Sequence, residues 1–159
     1  MTNRDVGEPE EDFGERLERE HEQLFHELRS VIPGAEVLFA FLLTIVFTGP
    51  FEELGAAQRT IFFLTFMLSG IALVLLLAPT AFHRIRFRQQ DKNAMLRLAN
   101  IEVLTAMACI SLSISGVVWL VTDIIVDTTW ATVTASGLWM LIALIWWAVP
   151  LARVRADRR

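Results

Sequence analysis

Charge is what this chain lacks over much of its length. Thr60 to Phe82 contains no Asp, Glu, Lys or Arg, and neither does Val103 to Thr122. Uncharged runs of about 20 residues match the ~30 Å hydrocarbon core of a bilayer at 1.5 Å per helical residue. Cysteine is also scarce. The single Cys109 lies inside an apolar run, which excludes an intrachain disulfide and says nothing about redox compartment. His21 and His26 are five residues apart with no third His or Cys completing metal-ligand spacing, so no metal site is expected. Nothing resembles a nucleophile elbow, a Walker loop or a Rossmann turn, so neither an enzyme nor a cofactor is expected, and no small-molecule substrate is identifiable. No basic n-region precedes a short apolar core, as a cleavable signal peptide would require. The bases sit at the edges of apolar runs, not among stacking aromatics on a soluble face, which argues against nucleic acid.

What is present is apolar. The 159 residues leave room for one domain, and 54% are hydrophobic, with a mean hydropathy of +0.49. The net charge of −4 comes from the start of the chain, where nine of the eighteen carboxylates fall within the first 22 residues. Residues 1–11 are polar, rich in Gly, Pro and Glu, and read as a disordered leader. Residues 12–29 read as a short cytoplasmic amphipathic helix. Leu17, Leu24 and Val31 repeat every seven residues, and Asp12 with Arg16 and Glu15 with Arg19 supply i,i+4 pairs. Lying on the membrane and self-association both suit such a helix.

Four apolar segments follow, at about 31–48, 60–79, 98–121 and 130–149, and a basic tail spans 150–159. The expected fold class is therefore all-α, a polytopic membrane protein with four transmembrane helices. Pro33 suits the first turn of a helix, or kinks one that continues through it from the leader; the sequence is compatible with either. Pro79 and Pro150 read as the ends of the second and fourth spans. Thirteen of the fourteen bases fall in the N-terminal segment, the turn around Arg84 to Arg97 or the tail, and only Arg59 lies elsewhere. That bias places both termini in the cytoplasm. Trp119 and Trp130 then mark the outer interface, and Trp146 and Trp147 the inner one.

Two carboxylates fall within spans, Glu36 and Glu102, at a similar shallow depth of roughly 5–10 Å by helical rise. Intramembrane acids mark functional sites by default. One reading makes them a proton- or cation-coupling pair with His83 as partner, their mutual repulsion and desolvation opposing ionisation. The other has nearby arginines neutralise them: Arg29 or Arg97 for Glu36, and Arg97 or Arg84 for Glu102. Arg84, Arg86 and Arg88 form a basic run suited to anionic lipid headgroups, or simply to anchoring the topology. The third span is rich in small and hydroxylated residues, and Thr105, Cys109 and Ser113 share one of its faces. Such a face packs helices closely, so this span is expected at the centre of the bundle. Four thin spans enclose little space, so a pore or carrier would require a homo-oligomer.

Three stretches, ELRSVIPGAEVLFAFLLTIVF (27–47), QRTIFFLT (58–65) and LLLAPTAFHRIRFR (75–88), together resemble a family of small bacterial four-helix membrane proteins classed only as a domain of unknown function. The resemblance covers residues 24–126 and is most specific at His83, Arg84, Phe87 and Arg88. It implies the same four-span fold in a bacterial inner membrane. Some members carry the label sodium:proton antiporter. The family often has glutamine where this chain has Glu36. The expected role is a non-enzymatic membrane module that packs with lipid, itself or another membrane protein. The alternative is a small proton- or sodium-coupled transporter.

Overall fold

A computed structural model describes residues 13–85 and 92–157. All regular structure among them is helical. Helix α1 runs Phe13–Ile45, α2 Ala56–Ile85, α3 Lys92–Ile125, α4 Thr128–Ala143 and α5 Val149–Asp157. A 3-10 turn, Gly49–Glu53, joins α1 to α2, and a π-helical turn, Leu144–Ala148, joins α4 to α5 without a break.

Helix α1 is continuous through Pro33, so the segment read as a leader helix and the first apolar segment form one rod. The leader at 1–11 lies outside the described residues, as do the side chains of Leu17 and Leu24. Helices also continue past Pro79 and Pro150, which the sequence reads as span ends. Each proline removes one backbone donor and crowds the carbonyl four residues earlier, which packed neighbours and local π adjustments accommodate in membrane helices. The π turn immediately before Pro150 is such an adjustment.

Three helical stretches among the described residues are long and apolar enough to cross a membrane: Ala56–Ala81, Arg97–Ile125 and Thr128–Ala156. The apolar part of α1 is shorter, fifteen residues from Val31 to Ile45, and it contains Glu36. Large apolar side chains cover the outside. Val37, Phe47, Val74, Ile125 and Met140 are all exposed. A surface of this kind is at home in hydrocarbon and not in water.

The packing is centred on α3, which contacts α1, α2 and α4. On α2 the buried residues are Phe62, Thr65, Ser69, Ala72, Leu76 and Pro79, alternating three and four apart. On α3 Ala99, Ala106, Ser113 and Leu120 recur every seven, with Ile110 between them. A 3.5-residue period on both helices is the one that knobs-into-holes packing uses. Small residues on the seam let the backbones approach. Gly116 marks a close approach, because a Cβ there would collide with Thr65 Oγ1. Ser113 Oγ donates across this seam to the Thr65 carbonyl oxygen at 3.1 Å.

Two apolar clusters stack along the seam. One joins Ala35, Ala72, Leu76, Ala106 and Ile110; the other joins Leu42, Phe62 and Leu120. Each therefore draws on α1, α2 and α3, with α1 antiparallel to α2. Phe39 stacks on Phe66 at 4.9 Å between ring centroids, its ring edge over Gly70. Helix α4 contributes to neither cluster. It packs on the opposite face of α3, where Ser111 and Ser115 are buried, and its own Ala131 and Ala135 are buried in turn. The four helices thus form a three-helix core with α4 laid against the back of α3. That follows from α3 having a small-residue face on each side.

Candidate functional site

The charged groups lie toward the two ends of the α2–α3 pair. At the basic end, Ala35 and Val103 pack in the same apolar cluster, so their sequence neighbours Glu36 and Glu102 flank one level of the core. Glu36 is exposed, Glu102 half-buried and Arg97 exposed. Among the described residues neither acid forms an ion pair with Arg29 or Arg97. His83 and Arg84 fall on the last turn of α2, with their side chains outside those described; Arg86 and Arg88 lie outside the described residues.

The three residues predicted to share the packing face separate by depth. Ser113 is fully buried and bonds α2, as above. Cys109 is half-buried and packs on the cluster of Ala35, Ala72, Leu76, Ala106 and Ile110. Thr105 is exposed, and its hydroxyl donates to Ile101 of its own helix. The remaining buried serines are also satisfied by main chain. Ser69 donates to the Phe66 carbonyl, Ser111 to that of Ala108 and Ser115 to that of Ser111. Among the described residues no buried side-chain oxygen or nitrogen lacks a partner. These residues also contain no group of three metal-ligating side chains.

At the far end the structure assembles a polar cluster that the sequence reading did not single out. Gln58 Nε2 donates to Asp123 Oδ2 at 2.7 Å, tying the start of α2 to the end of α3. Thr128 Oγ1 donates to Asp123 Oδ1 at 2.6 Å, and the Gly55 N–H donates to Gln58 Oε1 at 2.9 Å. Asp127 caps α4, accepting from the N–H groups of Thr129 and Trp130. Trp119 Nε1 donates to Thr132 Oγ1, at 3.3 Å, joining α3 to α4 beside it. Gln58, Asp123 and Glu53 also line a cavity of about 400 Å³ between α1, the 3-10 turn, α2 and α3. The signal was present in the α2 and α3 periods. With Thr65 opposite Ser113, two turns along an antiparallel pair bring Gln58 to the level of Leu120 to Asp123.

Among the described residues the chain is helical, with three helices long and apolar enough to cross a membrane and a seam of small residues between two of them, the features of a helical membrane protein. A model of the family of unknown function DUF6328 matches residues 10–150, 141 of the 159, and the chain belongs to that family. No curated protein and no solved structure matches it.

Proposed function

We propose that this chain is a four-span membrane protein that works by packing, with lipid, with a second copy of itself or with another membrane protein, and not by catalysis. In this reading the apolar half of α1 is the fourth span. Its support is that Ile32 to Ile45 lies along both apolar clusters, at the depth of α2 and α3. Both termini and the basic turn lie on the cytoplasmic side of a bacterial inner membrane, following the base count. Trp130 and Trp146 are sixteen residues apart, about 24 Å along a helix, as expected of aromatics at two interfaces. The span formed by α4 and α5 is almost wholly exposed, leaving its outer face for lipid or a second copy.

The observation that carries this reading is the satisfied seam. A proton or sodium path needs unengaged polar groups through the middle of the bilayer. The buried serines of α2 and α3, Ser69, Ser111, Ser113 and Ser115, donate instead to backbone carbonyls. The transporter reading keeps one support, the common level of Glu36 and Glu102 beside the cluster of Ala35, Ala72, Leu76, Ala106 and Ile110. Protein reconstituted into pH-loaded liposomes separates the two. Packing predicts no proton or sodium flux from wild type, Glu36→Gln or Glu102→Gln. Flux from wild type that disappears in both variants would make it a transporter. The topology is tested in a Cys109→Ser background, with single cysteines at Gly49 or Asp91 and an impermeant thiol reagent on intact cells. Labelling at 49 and not at 91 is expected; the reverse would invert the arrangement.

A further inference from the structure

The far-end cavity borders the second apolar cluster, which supplies part of its wall. Its volume of about 400 Å³ lies in the range of small-molecule sites, roughly 300–1,000 Å³. Its composition is of the same kind. Phe41, Leu42, Ile45, Phe62 and Leu120 supply apolar wall, and a few polar groups sit among them.

The charge of those groups has one sign. Both ionisable residues lining the cavity, Glu53 and Asp123, are carboxylates. The one nearby base, Arg59, is not part of the lining, and its guanidinium donates to the Glu52 carbonyl oxygen at 2.8 Å. Two helices also end here. Helix α1 stops at Ile45 and α3 at Ile125, and neither has a base in its last turn. Helix C-termini present partial negative charge. Asp123 is held in place by Gln58 and Thr128, whereas the Glu53 carboxylate makes no hydrogen bond among the described residues. Phe51 and Phe62 meet edge to face at 5.0 Å between centroids, and both line the cavity. Aromatic rings beside carboxylates form a setting that attracts a cation with an apolar body.

We propose that this cavity is a binding site for a lipophilic cation, one positive charge carried on a hydrophobic body. The acids receive the charge, and the phenylalanine and leucine walls receive the body. An anion of the same shape is repelled by both carboxylates and both helix ends. A neutral amphiphile gains nothing from the acids.

Equilibrium dialysis of the full chain in a neutral maltoside detergent tests this with two ions of matched size, tetraphenylphosphonium and tetraphenylborate. One tetraphenylphosphonium is expected per chain, held at least about tenfold more tightly than tetraphenylborate, the effect of roughly one charge contact. Glu53→Gln, which removes a charge and no structural hydrogen bond, should weaken cation binding by about tenfold. Val121→Trp adds bulk from an exposed position on the rim and should do at least as much. Equal retention of the two ions, or wild-type affinity in either variant, overturns the assignment. Circular dichroism melts of both variants confirm that they remain folded. Should either fail to fold, Glu53→Asp, which keeps the charge, must preserve the preference for the cation, and its loss there overturns the proposal as well.

Discussion

Gly116→Ala is the sharpest test of how α2 and α3 meet. The added Cβ would strike Thr65 Oγ1 and lie 3.3 and 3.4 Å from Thr65 Cβ and Cγ2. Thr65 is 2% exposed, so it has no open side to turn toward, and a β-branched residue in a helix has few rotamers to try. Overpacking of this kind costs about 1–3 kcal/mol. Strain on the adjoining Ser113 to Thr65 hydrogen bond adds up to about 0.6 kcal/mol. Replacing a helical glycine by alanine returns at most about 1 kcal/mol of propensity. The net expectation is a loss of about 1–2 kcal/mol, read from unfolding in dodecyl sulfate mixed micelles. Thr65→Ala removes the colliding atoms, so the double variant should be more stable than the sum of the two single effects by about 1 kcal/mol. Gly137→Ala is the control, since nothing lies within 4 Å of its Cβ position, and it should be neutral or mildly stabilising. A neutral Gly116→Ala, or strict additivity with Thr65→Ala, would refute the close approach.

Ser113→Ala should lower stability in the same assay by about 0.6 kcal/mol, and by no more than about 1.7; no change would mean that the bond to Thr65 contributes nothing. Asp127→Ala removes both cap bonds of α4 and should cost about 0.5–2 kcal/mol, with faster amide exchange confined to the first turn of that helix. Glu36→Gln should leave the melting temperature unchanged, equivalent to within about 0.5 kcal/mol, because the side chain is exposed and pairs with neither Arg29 nor Arg97; a larger drop would bring back a buried ion pair. Replacing Arg84, Arg86 and Arg88 together by glutamine should reduce retention of anionic lipid through purification, by about 1 kcal/mol per base, and equal retention would leave the run as a topology anchor alone.

The apolar runs and the central place of α3 were legible because their causes are local. A stretch without charge has few alternatives to lipid, and a helix with small residues on two faces can be packed from both sides. Helix ends were less legible. Pro33, Pro79 and Pro150 carry the same local signal as a proline that stops a helix in water. Whether each stops one depends on what packs around the freed carbonyl, and Pro79 is itself buried in the α2–α3 seam. The length of the first apolar segment was also blurred. Val46 and Phe47 continue the hydrophobic pattern, yet the chain leaves the helix after Ile45 to enter the 3-10 turn containing Pro50.

The far-end cluster was hidden for a different reason. Gln58 and Asp123 are 65 positions apart, and each alone reads as a polar residue in a short turn. Only the register of α2 against α3 brings them together, and the buried threes and fours of the two helices fix that register. Once it is fixed, the distribution of charge follows. Bases gather where the chain turns between α2 and α3, and acids gather where α1 and α3 end. A helix dipole runs the same way in α1 and α3, so both helices add their negative ends to Glu53 and Asp123. The far end is therefore electronegative by backbone as well as by side chain. Substituting one acid there should weaken its hold on a cation without abolishing it.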